Sequence, residues 1–433
     1  MSSQIRTTIT VLTISLLGAC SGGSSSGGAP QINDKGVINP TYTDDVAAIL
    51  NDNCVTCHRS GGIAPFSLDD YASASAKAMA IKYTTQARTM PPFLADNSGS
   101  CNTFSDARWL SDADIGTLSN WAEQGAPSGG AGSPLEQPPE PVLAPGEINA
   151  TVSMDVAYTP HGSAAEPNDD YRCFVLDPGI SEDTYLTAYQ VEPGNDALVH
   201  HIILFALNTP EAEAAAEALD TAEDGPGYTC FGDSGLDNTN AQAAPLIAGW
   251  APGVKVTRFP TDTGVPLKAN RKIIMQVHYN LENPPAPDQT KVQLTLQNNV
   301  ASPATMALLA DINMVLPAGQ TKAEHSVSFT LPSLAPTIKI HGVFPHMHNL
   351  GRSLTIEKLP AGGGQNQCMA DLPRWDFEWQ QFFFYDGEPL TANAGDTIKV
   401  TCRYDTSSRK DPVTWGNGTQ DEMCVSFFYI TGL

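Results

Sequence analysis

The stretch Leu198-Val199-His200-His201-Ile202-Ile203-Leu204-Phe205-Ala206-Leu207 decides how the larger part of this chain folds. Branched and aromatic side chains dominate it, and clusters of turn-forming residues lie on both sides. A short run of this composition between turn signals predicts a β-strand. The strand also carries two adjacent histidines, so it contributes to the predicted site as well as to the fold.

Runs of the same kind recur at Arg271 to Asn280, Thr397 to Tyr404 and Met423 to Ile430. Only Glu211 to Leu219 is predicted as a helix in this part of the chain. The pattern predicts two antiparallel, jelly-roll-like β-sandwich domains over residues 147–290 and 291–433. The boundary between them falls in the proline-rich loop at 283–287 or in the loop near Ser302-Pro303.

Residues 41–128 have a different pattern, which predicts a small all-α domain. Ser111 and Asp114 form a capping-box pattern, and Gly125 stands where a helix C-cap is expected. Between them, Ile115, Leu118 and Trp121 recur at helical spacing. The chain is therefore predicted to be multidomain, with a Ser/Gly linker at 20–40 and a Pro-rich linker at 129–146 flanking the helical domain.

The first residues are typical of an export signal. Arg6 provides a positive charge, and the apolar run that follows is too short to span a bilayer, which predicts a signal peptide over residues 1–19. Leu17-Gly18-Ala19-Cys20 resembles a bacterial lipobox, so Cys20 is the predicted lipidation site of an outer-membrane lipoprotein. The alternative is an ordinary signal peptide with a chance cysteine.

The charge balance excludes one class of partner. Asp and Glu total 47 against 23 Lys and Arg, giving a formal net charge of -24. Since the chain has no cluster of Lys and Arg to contact phosphates, nucleic acid is excluded as a partner. The acidic excess favours solubility in a salty or extracellular medium.

The motif Cys54-Val55-Thr56-Cys57-His58 indicates a covalently bound haem c, because two thiols at this spacing add to haem vinyl groups and the adjacent His reaches the iron. Half of a zinc site and a tight-loop disulfide are the alternatives. Met90, in Met90-Pro91-Pro92, is the predicted sixth ligand. Met79 is the alternative sixth ligand, but it lies in an Ala-rich helical run, where a methionine is expected to pack in the core. Closed six-coordination predicts an electron carrier rather than an oxygen-binding haem.

Five further histidines and one methionine fall in four strand-like segments: His200, His201, His278, His346, His348 and Met423. Imidazoles together with a thioether favour copper. Two residues apart in a strand, His346 and His348 are expected on one face. Adjacent His200 and His201 point to opposite faces of a flat strand, so a shared ion requires a twist or bulge there.

The chain resembles the copper type II, ascorbate-dependent monooxygenases, the family of peptidylglycine alpha-hydroxylating and dopamine beta-monooxygenases. Four motifs carry the resemblance, in the family's order: Val199-His200-His201-Ile202-Ile203-Leu204-Phe205, Gln276-Val277-His278-Tyr279, His346-Met347-His348-Asn349-Leu350-Gly351 and Asp421-Glu422-Met423-Cys424. The resemblance implies two single-copper sites on separate sandwiches across a solvent cleft. It assigns His200, His201 and His278 to an electron-transfer copper, and His346, His348 and Met423 to the catalytic copper that meets dioxygen.

Cysteine usage agrees with export. Of the nine cysteines, Cys20 is assigned to lipid and Cys54 and Cys57 to haem, which leaves an even number for disulfides. The resemblance implies the pairs Cys402 with Cys424 and Cys173 with Cys230. By elimination, Cys101 of the helical domain would join Cys368 of the last domain. The alternative is that both are buried free thiols.

The chain departs from the family where the peptide-amidating member clamps a substrate carboxylate. An Arg before the HxH motif, and an Asn and a Tyr after the Met ligand, are replaced by Phe344, Val425 and Phe427. The three apolar replacements predict an apolar or aromatic small-molecule substrate. His161, His325 and His341 match no motif and are predicted to be structural; for His341, five residues before His346, the alternative is hydrogen bonding to a ligand.

The predicted activity is hydroxylation of a C–H bond with dioxygen, in which the haem replaces ascorbate and an external redox protein of the periplasm or cell surface reloads it. Two alternatives remain. The first is a non-enzymatic copper- and haem-binding electron carrier or metal-trafficking lipoprotein. The second is a scaffold of sandwiches that anchors a cytochrome at the membrane.

Overall fold

A computed structural model describes residues 32–33, 35–60, 64–130, 142–163, 167–230, 233–237, 240, 243–281, 283–377, 379–416, 418 and 420–433. The predicted signal peptide and Cys20 lie outside these residues, as does most of each predicted linker. Within the described ranges, no helix is long and apolar enough to cross a membrane.

The N-terminal part of the chain is mainly helical. A π-helical turn over Tyr42–Val46 leads into the α-helices, and two short strands pair ahead of it; the elements are β1 Ile32–Asn33, β2 Gly36–Val37, α1 Ala47–Asn53, α2 Tyr71–Ala76, α3 Ala78–Gln86 and α4 Asp112–Glu123. Leu50, Leu118 and Trp121 form the centre of a common apolar core. This burial holds the helices against one another.

Helix α4 begins and ends as predicted. The Ser111 hydroxyl accepts from the Asp114 N–H, the Asp114 side chain accepts from the Ser111 N–H, and Gly125 follows the helix with a φ of 79°. The prediction for Met79 is wrong. Its side chain is 45% exposed on α3, because Ala78, Ile81 and Thr85 form the inward face of that helix.

The rest of the chain is β-structure with one helix, α5 Pro210–Ala222, which extends the predicted helix at both ends. The strands of the first half are β3 Ala150–Ser153, β4 Asp169–Leu176, β5 Thr184–Glu192, β6 Val199–Ala206, β7 Tyr228–Thr229, β8 Leu246–Trp250, β9 Val256–Arg258, β10 Thr263–Leu267, β11 Ile273–Asn280 and β12 Lys291–Gln297. Those of the second half are β13 Ser302–Ala310, β14 Val315–Leu316, β15 Ala323–Thr330, β16 Ile338–His346, β17 Gly351–Leu359, β18 Gln367–Leu372, β19 Phe383–Phe384, β20 Leu390–Ala392, β21 Thr397–Tyr404, β22 Val413–Thr414 and β23 Val425–Thr431.

One long sheet serves both halves, in the order β19-β16-β23-β13-β10-β5-β12-β3, with β20 beside β16 and β9 beside β5. A five-stranded sheet, β7-β4-β11-β6-β8, packs over the β5 end through one apolar core. A four-stranded sheet, β15-β21-β17-β18, packs over the β16 end through another. The predicted β-sandwich class is confirmed, and a short parallel pairing of β10 with β13 joins the two sandwiches.

The position of β12 corrects the predicted domain boundary. β12 lies between β5 and β3 in the first sandwich, so a division after residue 290 would separate it from its own sheet. The proline-rich stretch at 283–287 connects β11 to β12 inside that sandwich. The loop before Ser302, the second predicted position, separates the two halves better.

Residues 93–109 leave the helices and pack into the second sandwich, which the sequence pattern did not predict. Phe93 and Phe104 are buried in its core, where both rings contact Phe383. The Asp96 N–H donates to the Asp371 carbonyl at 2.8 Å, and the Ser105 N–H to the Phe384 carbonyl at 2.9 Å. The helical part is therefore attached to the sandwich by packing and backbone hydrogen bonds.

All three predicted disulfides are confirmed: Cys101 with Cys368, Cys173 with Cys230 and Cys402 with Cys424. The first joins the helical part to β18, across a sequence separation of 267 residues. Among the described cysteines, Cys54 and Cys57 are free.

We predict that the double variant Cys101→Ser, Cys368→Ser lowers the free energy of unfolding by about 5 kcal/mol, because the bridge closes a very long loop in the unfolded chain. Urea titration of the variant and the parent protein measures the difference. An unchanged midpoint would contradict the prediction and assign the attachment to the packing of Phe93 and Phe104 alone.

Candidate metal centres

Strand β6 bulges at His200, as the sequence required. His278 of β11 pairs with His201, but the next residue, Tyr279, pairs with Val199, so His200 is an extra residue in β6. A bulge of this kind changes the direction of the side chains around it. Both adjacent histidines can therefore turn toward His278.

The three side chains form a compact cluster. Their candidate ligand atoms lie within 4.8 Å of one another, and the Nδ1 atom of His201 is 3.3 Å from Nδ1 of both His200 and His278. Nε2 of His278 is 2.8 Å from the Asp169 carboxylate, and the Tyr171 ring stacks on the His278 ring with a centroid distance of 4.0 Å. These contacts direct Nδ1 of His278 into the cluster.

Burial sets the protonation state of this cluster. Desolvation, and next the neighbouring imidazoles, hold the pKa of His201 and of His278 well below the usual value. Both rings are neutral at physiological pH, which is the form that binds a metal ion. Neutral imidazoles that converge from two strands fit a copper ion, as the sequence predicted.

His346 and His348 form a second set, but not for the predicted reason. Strand β16 ends at His346, so His348 lies in the turn beyond it and the strand alternation does not apply. The two ring centroids nevertheless lie 5.1 Å apart. The turn, rather than the strand, brings the second ring to the first.

Fixed acceptors orient both rings. Nδ1 of His346 bonds Oε1 of the buried Gln380 at 2.5 Å, and Nδ1 of His348 bonds the Asp421 carbonyl at 3.1 Å. Because an amide or backbone oxygen only accepts, each Nδ1 carries the proton and each Nε2 is left for an ion. Burial lowers the pKa of His346 to about 4 and that of His348 to about 3.

Glu422 connects this turn to Met423. Its fully buried carboxylate accepts the N–H groups of His348 at 3.0 Å, Leu350 at 2.6 Å and Met423 at 3.3 Å. Burial raises the pKa of Glu422 to about 7, although the three donors oppose the rise. The sequence analysis did not identify Glu422, although it lies beside the predicted ligand Met423.

Met423 itself is buried and lies just before β23, which begins two residues later than predicted. Its carbonyl accepts the Tyr404 hydroxyl at 2.8 Å, and the neighbouring Cys424 is tied to Cys402. His346 pairs with Val425 across the two strands, so the Met423 segment runs beside the end of β16.

One phenyl ring lies against both histidine sets. Phe377 stacks on His200 with a centroid distance of 4.9 Å, and its edge contacts His348 at 5.8 Å. The resemblance implied two metal sites separated by a solvent cleft. In the structure, the Phe377 ring instead lies between the two sets and contacts a histidine of each. No motif in the sequence identified Phe377, because it lies in an irregular segment far from the histidines along the chain.

An apolar row lies beside His346. Leu308, Phe427 and Phe344 are directly paired across three neighbouring strands and share one face of the long sheet. Leu308 is 59% exposed, and the two rings are half-buried. Val425, the third predicted pocket residue, is buried and pairs with His346.

The Cys54-to-His58 motif lies at the end of α1. Nδ1 of His58 is 3.1 Å from the Phe66 carbonyl, an acceptor that leaves Nε2 available for an axial bond. Burial raises the pKa of Cys54 to about 12, so it is a neutral thiol. Met90 is half-buried after α3, and its N–H donates to the Thr84 carbonyl. Its role as sixth ligand stays a prediction.

The three remaining histidines have ordinary partners. The His161 N–H donates to Asp170, the His325 ring bonds Asp311 at 3.1 Å, and the His341 ring bonds the Thr431 hydroxyl at 2.9 Å. These contacts agree with structural roles. His341 contacts the end of β23 rather than His346 or His348.

Comparison with known proteins agrees with this geometry. The family model described as copper type II ascorbate-dependent monooxygenase, N-terminal domain, matches residues 161–285, and the corresponding C-terminal domain matches residues 302–431. Together they cover more than half of the chain. The chain belongs to the copper type II ascorbate-dependent monooxygenases. It is thus a member of a family of copper-dependent enzymes.

Relatives of this monooxygenase family align with the same part of the chain. Dopamine beta-hydroxylase of Rattus norvegicus is 27% identical over 280 residues, which are 60% of this chain and 43% of that protein. Tyramine beta-hydroxylase of Caenorhabditis briggsae is 24% identical over 55% of this chain and 40% of its own length. The chain thus spans less than half of these relatives. A solved structure of N-glycanase F covers 65% of this chain and 96% of its own at 9% identity, with a TM-score of only 0.27.

We predict that Glu422→Gln weakens Cu(I) binding at His346 and His348 by about 10- to 100-fold, because an amide nitrogen cannot accept the backbone N–H groups that hold the turn. Competition with a chromophoric Cu(I) chelator measures the affinity. The control is Glu324→Gln, which removes an exposed carboxylate that pairs with Arg403. Equal affinities in the two variants would contradict a positioning role for Glu422.

At the three-histidine cluster, Asp169→Leu removes the acceptor of His278 Nε2 and is expected to reduce copper affinity about 10- to 100-fold. Asp169→Asn keeps an acceptor oxygen and is expected to retain most of the affinity. Copper titration in a His346→Ala background isolates this cluster. If Asp169→Asn and Asp169→Leu weaken copper binding equally, Asp169 contributes its negative charge rather than the orientation of the His278 ring.

Proposed function

We propose that this chain is a copper-dependent monooxygenase that hydroxylates a C–H bond of a small organic molecule, with electrons delivered through a covalently attached haem. The net reaction converts R–H, dioxygen, two electrons and two protons into R–OH and water. The observation that carries the proposal is the pair of neighbouring histidine sets, in which fixed acceptors orient the rings of His278, His346 and His348.

The donor atoms fit two copper ions. We assign His200, His201 and His278 to an electron-transfer site, and His346, His348 and Met423 to the catalytic site. Bound copper would supply one-electron redox chemistry at both sites and an open position for dioxygen at the second. The chain's own contribution is to keep the rings of His201, His278, His346 and His348 neutral, and to fix the orientation of His278 through Asp169 and of His346 through Gln380.

The substrate we propose is apolar or aromatic. Leu308, Phe344 and Phe427 give an exposed apolar row on the face that also carries His346. The Phe344 ring also packs against Phe382, with a centroid distance of 5.0 Å. Such a surface binds a flat apolar molecule and offers no cation for a carboxylate. Two relatives are named for the aromatic amines dopamine and tyramine, which supports this class.

A haem c fits the helical part. Cys54 and Cys57 are unpaired among the described cysteines, although the other six form disulfides. His58 keeps Nε2 available, and we assign the sixth position to Met90. Bound haem would supply a one-electron carrier, so an external redox protein must reload it between turnovers. This group takes the place of ascorbate in our proposal.

We further propose that the protein is exported and held at the outer membrane by lipid on Cys20. The three disulfides support an oxidising compartment, because such bonds are rare in the reducing cytosol. The organisation we propose places a haem domain over residues 41–128 ahead of the two sandwiches, with its stretch 93–109 packed into the second sandwich.

Metal and haem content of the purified protein tests the proposal first, with two coppers and one haem per chain expected. Met423→Ala should then slow reoxidation of the reduced haem by dioxygen about 100-fold or more, while chemical reduction of the haem is unaffected. Haem absorbance followed in a stopped-flow instrument measures both. The matched control, Met79→Ala, removes an exposed methionine and should leave the rate unchanged.

A purified protein that contains haem and copper but whose reduced haem is not reoxidised by dioxygen would reject the proposed enzyme activity and favour the electron carrier. A purified protein without haem would reject the haem as electron donor, while copper content still tests the two metal sites.

A further inference from the structure

One irregular segment of the second sandwich reaches the histidines of both candidate metal sites. We call residues 373–382, which connect β18 to β19, the bridging loop; residue 378 lies outside the described residues. Phe377 of this loop stacks on the His200 ring with a centroid distance of 4.9 Å and meets the His348 ring edge-on at 5.8 Å. The ring centroids of the two histidines are therefore separated by no more than the sum of those two distances.

Hydrogen bonds attach the bridging loop to the second histidine set on both sides of Phe377. After it, Oε1 of Gln380 accepts the proton on Nδ1 of His346. Before it, the Trp375 Nε1–H donates to the His348 carbonyl at 3.1 Å. Gln380 Nε2 also donates to the Phe377 carbonyl at 2.7 Å, which holds the loop against its own side chain. The position of Phe377 relative to His346 and His348 is therefore fixed.

The bridging loop also lies against the first sandwich. The turn between β8 and β9 contains Gly253 with a φ of 85°, and a Cβ atom at this position would lie 2.8 Å from Cζ3 of Trp379. Because that distance is shorter than a van der Waals contact, the Trp379 ring packs directly on the glycine backbone. Phe377 packs on His200 of β6, in the same sandwich. The loop thus extends from one sandwich to the other beside the metal sites.

These contacts give Phe377 a role that the ligand motifs do not include. We propose that Phe377 is a positioning residue that holds the two copper sites at one fixed, short separation, so that an electron passes directly from the three-histidine site to the second site. This inference rests on the proposed function. In each transfer, the cuprous ion at the three-histidine site loses one electron, and the cupric ion at His346, His348 and Met423 gains it. Phe377 binds neither ion and acts through the two histidine rings that it contacts.

The ring of Phe377 opposes movement of the two sites in either direction. Aromatic rings pair favourably in stacked and in edge-to-face arrangements, and Phe377 makes one contact of each kind. Separation of the sites would break at least one of these contacts, and closer approach would require the ring to leave. Because the rate of electron transfer falls steeply with the distance between donor and acceptor, a fixed separation also fixes this rate.

The distance between two cupric ions tests this role without any turnover. The purified full chain is loaded with copper(II), and the half-field signal of its electron paramagnetic resonance spectrum is recorded, since the intensity of this signal falls with the sixth power of the copper-to-copper distance. The parent chain is expected to show the signal. In Phe377→Ala, with two coppers still bound, its intensity should fall about twofold or more, because a displacement of about 1 Å is sufficient.

Two further variants separate positioning from general packing. Phe377→Tyr keeps the ring and is expected to keep the parent signal. The matched control, Phe329→Ala, removes a phenylalanine that is 53% exposed on β15 and is expected to leave the signal unchanged. A parent-like signal in Phe377→Ala would overturn the proposal. Loss of copper from Phe377→Ala would also overturn it, because Phe377 would then serve to retain the metal rather than to set the separation.

The same variants test the consequence for electron transfer. In the proposed function, reoxidation of the reduced haem by dioxygen requires electrons to pass from the three-histidine site to the second site. Phe377→Ala should therefore slow this reoxidation about tenfold or more, while Phe329→Ala leaves its rate unchanged. An unchanged rate in Phe377→Ala, despite a weaker half-field signal, would overturn the role of Phe377 in electron transfer.

Failure of the proposed function gives a different result. A parent chain that binds no copper by elemental analysis overturns the proposed function and this inference with it. A parent chain that binds two coppers but lacks the half-field signal overturns only the role of Phe377. A chain with two coppers and no haem rejects the haem as electron donor, and the half-field signal still decides whether Phe377 sets the separation.

Discussion

Five imidazoles that lie close together, three buried and two half-buried, impose the constraint on which this structure depends. Burial holds the pKa of His201, His278, His346 and His348 below the usual value, so these rings are neutral at physiological pH. A neutral ring has one donor and one acceptor nitrogen, so its orientation decides which nitrogen can bind a metal ion. Asp169, Gln380 and the Asp421 carbonyl each engage one ring nitrogen and so leave the other for a metal ion. The surrounding loops hold these partners in place.

The long shared sheet brings the two histidine sets together. β6 and β11 carry one set in the five-stranded sheet, and β16 carries the start of the other at the far end of the long sheet. Only Thr263 with Ser302 and Gly264 with Pro303 pair between β10 and β13, while the Thr263 hydroxyl also bonds that of Tyr429 at 2.8 Å. Ala304, Met306 and Tyr429 of the second half also pack into the apolar core of the first sandwich, so backbone pairing and apolar packing both join the two halves.

Much of this arrangement could be predicted from the sequence, since local pattern and residue chemistry determine it. The bulge at His200 follows from two adjacent ligands in one strand, and the disulfides follow from the resemblance and from elimination. The path of residues 93–109 could not be predicted, because Phe93 and Phe104 pack against residues more than 200 positions away. Gln380 could not be predicted for the same reason, because its role arises from a tertiary contact with His346 that leaves no periodic pattern.

The burial of Phe93 and Phe104 in the second sandwich also determines the order in which the molecule can fold. Their pocket is formed by strands between β14 and β23, which are synthesised last. Until those strands pair, both aromatic side chains remain exposed, and Cys101 has no partner. Contacts of such long sequence separation form slowly and expose apolar surface to aggregation. The helical part can therefore fold early, but its attachment to the sandwich is among the final steps of folding.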